Sequence, residues 1–307
     1  MTEERKQEIL EIIRNTNRRP AQTGKPLYPE EIMGSLIQIM AYPNLCEEIE
    51  SISRTVDGFS YRMDILRAKN RGENCPLFIN IHGGGFIGPH RENDTYFSAY
   101  MADQIHGITV DLDYTLSDAA PYPVALHQCM DALDYVAEHA NTWGASAKDI
   151  SVGGYSAGGA LTAAMGICCA ERGGFVPKLQ ILCYPPLEYR IPDQYKIDAY
   201  DRQIGMERCK AFADLYFDDK KENFEDIHNS PLYAPREILA KQPKTLILSA
   251  GLCNFRYEDE DYAICLADAG AEVILKRFPE ASHGFIPHFM DGWKEAADLM
   301  VREILEK

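Results

Sequence analysis

Residues 149–159 of this 307-residue chain read DISVGGYSAGG. The β-branched run that ends at Val152 predicts a buried strand, and the alanine-rich run from Ala157 to Cys169 predicts a helix. Glycines stand two residues before and two residues after Ser156, at positions where a very tight turn leaves no room for side chains. The stretch therefore predicts a strand, a sharp turn that exposes Ser156, and a helix. The alternative is a glycine-rich turn with a purely structural role.

Strands and helices alternate on both sides of this turn, and Asp57-Gly58 separates the first two strands as a hairpin signal. The alternation predicts an α/β fold with a mostly parallel central sheet flanked by helices on both faces. Strands are predicted over residues 51–56, 61–66, 76–81, 107–112, 149–152, 179–184, 245–249 and 272–275, and helices over 124–139, 157–169, 261–269 and 292–306.

Two segments depart from this alternation. Residues 1–50 predict short helices, the second of them over 31–40, and residues 188–242 carry a helix over 205–216 but no buried strand. A long insertion between core strands usually packs over the carboxyl edge of the sheet, where the sites of α/β proteins lie. We therefore expect a core formed by residues 51–187 and 243–307, with residues 1–50 and 188–242 forming a helical cap.

The sequence HGGGF, residues 82–86, directly follows a predicted buried strand. Adjacent glycines let backbone N–H groups point into a cavity without obstruction, which a developing oxyanion requires. Gly83 and Gly84 are the expected donors, together with the N–H of Ala157 at the start of the helix after Ser156. A phosphate-binding loop is the alternative, but the Lys-Ser/Thr pair of that motif does not follow.

A histidine, His283, lies between the last predicted strand and the last predicted helix, in the sequence SHGF. In hydrolases that present a serine on such a turn, the base comes after the serine in chain order and occupies this place. His283 is therefore the candidate that would take the proton of Ser156 and later deliver it to the leaving group.

The composition is acidic, with 31 lysines and arginines against 47 acidic residues and a net charge of -16. We expect no nucleic-acid binding, because no basic cluster is present, and the charge should mildly disfavour strongly anionic substrates. No apolar run approaches the roughly 20 residues of a membrane span. The chain starts without the apolar core of a secretory signal, and its nine cysteines include no Cys-x-x-Cys pair. These features predict a cytoplasmic protein with reduced thiols and without structural zinc.

Taken together, the motifs resemble the hormone-sensitive-lipase-like branch of the α/β-hydrolases. The resemblance rests on HGGGF (82–86), DYTL (113–116), PYPVA (121–125) and GGYSAGG (153–159), which occur in that order and at similar spacing. It implies an α/β-hydrolase fold with a helical cap and a serine carboxylesterase that forms an acyl-enzyme without a metal or other cofactor. The implied substrates are small uncharged esters, and a homodimer is compatible with the resemblance.

The chain departs from that family at two places. The residue before the serine is Tyr155 where the family usually has aspartate. At the position of the triad acid, a gap-free reading places Cys253, and a shift by one residue places Asn254. Neither side chain is a carboxylate at neutral pH, so the third member of the triad is atypical.

Three kinds of side chain could substitute for the missing acid. Glu258 or Asp259 could reach back from the start of the next helix, and Glu188 could act from the neighbouring sheet edge. Asn254 could instead orient His283 through its side-chain carbonyl. For most of the acidic run from 258 to 261, we expect a solvated helix N-terminus.

The atypical acid position keeps two other functions open. A hydrolase fold with weakened catalysis could bind a small molecule, with Ser156 as a hydrogen-bond donor. A related amide hydrolase would use the same residues, and the sequence does not separate it from an esterase.

Overall fold

The structure is a computed structural model that describes residues 1–16, 39–191 and 205–306. Most of the helix predicted over 31–40 lies outside these residues. Within them, no helix is both long and apolar enough to cross a membrane.

The core is an eight-stranded sheet with the order β1-β2-β4-β3-β5-β6-β7-β8. Strand β2 runs antiparallel to β1 and β4, and the neighbouring strands from β4 to β8 are parallel. This confirms the prediction of a mostly parallel sheet. The strands are β1 (Glu50–Val56), β2 (Phe59–Arg67), β3 (Cys75–Ile81), β4 (Ile108–Asp113), β5 (Ala145–Tyr155), β6 (Leu179–Cys183), β7 (Lys244–Ala250) and β8 (Val273–Phe278).

The strands form where the sequence has apolar runs or alternation. Every residue of β6 is buried, as expected for a central parallel strand covered on both faces. The antiparallel pair β1 and β2 is joined by Asp57 and Gly58, both at positive φ. Positive φ at both central residues is the geometry of the tight hairpin turn that Asp-Gly favours.

Helices cover both faces of the sheet. Their bounds are α1 (Glu3–Thr16), α2 (Glu92–Gln104), α3 (Val124–His139), α4 (Ala157–Arg172), α5 (Met206–Tyr216), α6 (Lys221–Glu225), α7 (Arg236–Leu239), α8 (Arg256–Ala269) and α9 (Trp293–Leu305). Helices α3, α4 and α8 pack on one face, and α2 and α9 pack on the other.

Helix α1 packs against α5, in the segment between β6 and β7. Ile9 and Ile13 of α1 form a small buried cluster with Ala211 and Leu215 of α5. The N-terminal helix and the insertion therefore contact each other directly.

Helix α8 begins earlier than its predicted start at residue 261, and its first turn is not solvated as expected. Glu258 and Asp259 are buried. The carboxylate oxygen Oε2 of Glu258 accepts the backbone N–H groups of Leu187 and Glu188 at 2.8 and 3.0 Å. The expectation of a solvated acidic turn was wrong at these residues, because this carboxylate satisfies two buried donors of a distant loop.

Candidate active site

The turn at Ser156 is tight. Ser156 has φ 53° and ψ -117°, a conformation that residues other than glycine rarely adopt. A Cβ atom on Gly158 would lie 2.1 Å from the carbonyl oxygen of Ile81, and one on Gly154 would lie 2.4 Å from the carbonyl carbon of Gly158. Both positions therefore require glycine. The backbone N–H of Ser156 donates to the carbonyl of Cys183 at 2.9 Å, which fixes the turn to β6.

The glycine loop after β3 packs on this turn. A Cβ atom on Gly83 would lie 2.7 Å from the carbonyl oxygen of Tyr155, which is closer than real Cβ atoms approach. Gly84 and Gly85 have φ values of 117° and 62°, in the region that favours glycine. The loop therefore approaches Ser156 through its backbone alone.

His82 anchors the start of the glycine loop. Its ring is stacked on Tyr114 with centroids 4.3 Å apart, and its carbonyl accepts the Tyr114 hydroxyl at 3.2 Å. Burial lowers the pKa of His82 to about 4, so the ring is neutral at neutral pH. Its Nδ1 lies 2.7 Å from the carbonyl oxygen of Gly83 and must carry the proton, since that oxygen can only accept.

His283 lies in the loop after β8 and lines the same cavity as Ser156, Gly83, Gly84 and Ala157. Burial, and then the charge of His288, lower the pKa of His283 to about 3. The imidazole is therefore neutral at physiological pH, the state in which it can accept a proton.

The structure brings the Cys253 side chain to the Nδ1 atom of His283. Its Sγ lies 3.0 Å from that nitrogen, and it also accepts the backbone N–H of Phe255 at 3.4 Å. The thiol is buried in the loop after β7, and the neighbouring Asn254 is half-buried in the same loop.

Two of the other candidate acids, Glu258 and Glu188, accept hydrogen bonds from backbone N–H groups away from His283. Glu258 accepts the two N–H groups described above, and Oε1 of Glu188 accepts the N–H of Ile191 at 2.7 Å. Neither glutamate lines the cavity. Asp259 is fully buried and does not line the cavity either, and burial raises its pKa well above the usual range.

The cavity has a volume of about 440 Å³. The apolar side chains of its wall come from several parts of the chain and include Ile13 of α1, Phe86, Tyr184, Phe212 of α5 and Phe255.

Arg91 and Arg208 also line the cavity, and sequence reasoning did not select either of them. Arg208 lies on the helix predicted over 205–216, but the residues next to it in the sequence do not reveal that its side chain lines the cavity.

Within the described residues, no cluster of three histidine, cysteine or acidic side chains could hold a metal ion. A serine, a neutral imidazole and glycine N–H groups around one cavity form the arrangement that acyl transfer uses.

Comparisons with known proteins agree with this architecture. Residues 78–287 match the protein family described as having the alpha/beta hydrolase fold. The chain is 30% identical over 217 residues to the esterase LipI of Mycobacterium tuberculosis, a match that covers 69% of this chain and 66% of LipI. It is 29% identical over 120 residues to hormone-sensitive lipase of Bos taurus, which covers 39% of this chain and 16% of that lipase.

A solved structure, that of the hyperthermophilic esterase from Pyrobaculum calidifontis, has a TM-score of 0.80 to this chain at 24% identity. The likeness covers 99% of this chain and 98% of the esterase, and it shows the shared fold. The first curated relatives are matched over 66%, 62% and 61% of their own lengths. By its family match and its motifs, this chain belongs to the α/β-hydrolase fold family, in the branch of hormone-sensitive lipase and the related esterases.

Proposed function

We propose that this chain hydrolyses carboxylic esters through an acyl-enzyme on Ser156. The observation that carries the proposal is that Ser156, the glycine loop and the neutral His283 line one cavity. The esterases among its relatives support the same reaction class.

In the first step, Oγ of Ser156 attacks the ester carbonyl while Nε2 of His283 takes the hydroxyl proton. The N–H groups of Gly83, Gly84 and Ala157 stabilise the oxyanion, helped by the N-terminus of α4. His283 then protonates the leaving alcohol. Water attacks the acyl-enzyme by the same route and releases the carboxylic acid.

Cys253 acts in this proposal as the positioning residue for His283. Its sulfur already accepts the N–H of Phe255, and accepting the Nδ1–H of His283 as well leaves Nε2 free to face Ser156. A neutral thiol stabilises the imidazolium of the transition state less than a carboxylate does. In serine proteases, replacing the triad aspartate by asparagine lowers kcat about 10⁴-fold. We therefore expect a slow esterase.

The cap formed by residues 1–50 and 188–242 is part of this proposal. Its support is that α1 and α5 pack on each other and that both contribute residues to the cavity wall. A cavity of about 440 Å³ suits small substrates. The cytoplasmic location, the homodimer, the lack of nucleic-acid partners and the preference for uncharged esters stay predictions from the sequence.

The test is turnover of 4-nitrophenyl acetate and butyrate, with labelling by a fluorophosphonate. Wild-type protein should hydrolyse both esters and be labelled. Ser156→Ala should lose the label and about 50- to 100-fold in kcat, since a triad that already lacks its acid has less catalysis left to lose. Turnover that survives in Ser156→Ala would reject the mechanism.

A second candidate function is a small-molecule binder, which the thiol at Nδ1 of His283 favours. If the chain is such a binder, esters should bind saturably, but they should not be turned over, and a fluorophosphonate should not label the protein. Matched 4-nitroanilides, assayed beside the esters, separate an amide hydrolase from an esterase.

A further inference from the structure

Two guanidinium groups line the cavity. Arg91 lies directly before α2, and Arg208 lies in the first turn of α5. Burial is the main cause that lowers the pKa of Arg208, and the charge of Arg91 lowers it further. Both guanidinium groups therefore line one cavity, and the charge of each opposes that of the other.

The contacts of these side chains do not neutralise their charge. Nη1 of Arg208 donates to the backbone carbonyl of Ile13 at 2.8 Å, and its Cζ lies 4.8 Å from the ring centroid of Phe212. Arg91 is exposed at the cavity edge. Among the described residues, neither guanidinium has a carboxylate within ion-pair distance. Holding two cations in one cavity without a directly paired carboxylate is unfavourable, and it prepares the site for an anion.

The acidic groups near these arginines balance their positive charge only in part. Asp94 lines the cavity, but its Oδ2 accepts the backbone N–H of Arg91 at 2.9 Å. Burial, and then the charge of Asp111, raise the pKa of Asp94 to about 6. Asp111 is itself paired with Nε2 of His90 at 2.7 Å.

His90 is charged at neutral pH. Burial opposes its charge, but Asp111 outweighs burial and raises the pKa of His90 to about 9. In the cavity wall itself, Arg91 and Arg208 exceed Asp94 by a single positive charge.

We propose that Arg91 and Arg208 form a carboxylate-binding subsite, so that the chain prefers esters that carry a free carboxylate beside the ester group. The proposal rests on the proposed esterase function. A guanidinium donates two parallel hydrogen bonds to a carboxylate, and an excess of a single charge matches this anion better than a phosphate. The subsite opposes the expectation, drawn from the net charge of -16, that anionic substrates are disfavoured.

The first experiment compares esters that differ in one charge. On the acyl side, these are the 4-nitrophenyl monoester of adipate and 4-nitrophenyl hexanoate. On the alcohol side, they are 4-acetoxybenzoate and its methyl ester. For at least one pair, we expect kcat/KM of the wild type to favour the charged ester by about tenfold or more. A preference for the neutral ester in both pairs would overturn the proposal.

The variants are Arg91→Gln, Arg208→Lys and Arg236→Gln. Arg91→Gln should abolish the preference for the charged ester, and Arg208→Lys, which keeps the charge and a donor for Ile13, should retain part of it. Arg236 is exposed and does not line the cavity, so Arg236→Gln removes one charge from the chain as a control and should not change the ratio. An equal fall in Arg91→Gln and Arg236→Gln would assign the preference to net charge and reject the subsite.

A binding experiment separates this proposal from the proposed function. Isothermal titration with hexanoate and with hexanamide measures the subsite without catalysis. Hexanoate should bind at least about tenfold more tightly to the wild type, and this difference should disappear in Arg91→Gln. Equal binding of the two ligands would overturn the subsite even if neutral esters are hydrolysed. A chain that binds hexanoate preferentially but hydrolyses no ester would instead overturn the esterase.

Discussion

Sγ of Cys253 lies 3.0 Å from Nδ1 of His283, at the place where related hydrolases are expected to hold a carboxylate. The contact is short enough for a hydrogen bond to sulfur. It therefore supplies the orientation that the base needs, but not the negative charge that would stabilise the imidazolium. Substitutions of residue 253 can separate the effect of orienting His283 from the effect of a negative charge beside it.

Cys253→Asp should raise kcat/KM for 4-nitrophenyl acetate by about tenfold or more, because a carboxylate stabilises the protonated state of His283 in the transition state. Cys253→Asn is the matched control, since it has the same size and no charge. Equal rates for the two variants would show that charge at residue 253 does not limit the reaction.

The pH profile of the wild-type chain should extend far into the acidic range. Burial, followed by the charge of His288, lowers the pKa of His283 to about 3, and the base acts only when it is neutral. We expect kcat/KM to stay nearly constant from about pH 8 down to about pH 4 and to fall only below that.

In Cys253→Asp, the carboxylate should raise the pKa of His283, so the fall should begin at a higher pH. Rates should be read at a wavelength where nitrophenol and nitrophenolate absorb equally, with circular dichroism at each pH to verify folding. A wild-type profile that falls near the ordinary histidine pKa of about 6.5 would contradict this assignment.

Tyr114→Phe tests the anchor of the glycine loop. The change removes the hydroxyl that donates to the carbonyl of His82 and keeps the ring that stacks on it. Losing one neutral hydrogen bond corresponds to about 0.5–1.5 kcal/mol. We expect kcat to fall about two- to tenfold with little change in KM, because the loop faces the oxyanion of the transition state. A rise in KM at constant kcat would place the effect in substrate binding.

An ion pair outside the cavity should make stability depend on pH. Nδ1 of His228 lies 2.7 Å from Oδ1 of Asp226. The hydrogen bond to Asp226, and then that to Cys168, raise the pKa of His228 to about 10. Burial opposes the charge of Asp226, but His228 outweighs it and lowers the pKa of Asp226 to about 2.

Because the folded-state pKa of His228 is raised, its stabilisation should be complete below about pH 6.5 and disappear as the pH rises through about 10. The contribution of Asp226 should be present above about pH 4 and be lost as the pH falls through about 2. Urea unfolding of the wild type and His228→Gln should therefore show the largest difference at about pH 5–6 and a smaller one at about pH 9.5. A difference that is independent of pH would rule out the charged pair.

Much of the core could be predicted because local patterns correspond to its elements. The apolar run of β6 is buried on both faces, and α3 spans the predicted residues 124–139. Helix α2 was not predicted, because its buried residues include Asp94 and Ser98 as well as Phe97, so no apolar stripe is visible.

The site could be predicted only in part. The glycines around Ser156 and the position of His283 follow from local sequence, and the structure places them around one cavity. The gap-free reading also placed Cys253 at the residue that contacts His283. The hydrogen bond from Leu187 to Glu258 and the placement of Arg91 and Arg208 in one cavity wall depend on segments far apart in the chain, which no local pattern reveals.

The close approach of Gly83 to the carbonyl of Tyr155 also explains which of residues 83 and 155 can vary. Gly83 of the glycine loop faces the backbone carbonyl of residue 155, while the Tyr155 side chain is buried with its ring perpendicular to that of Phe97 at 5.5 Å. A randomised library at residue 155 should therefore yield active clones whenever the new side chain fills the space beside Phe97. A library at residue 83 should return glycine. Divergence in this family can thus pass through the residue next to the nucleophile more readily than through the loop that faces it.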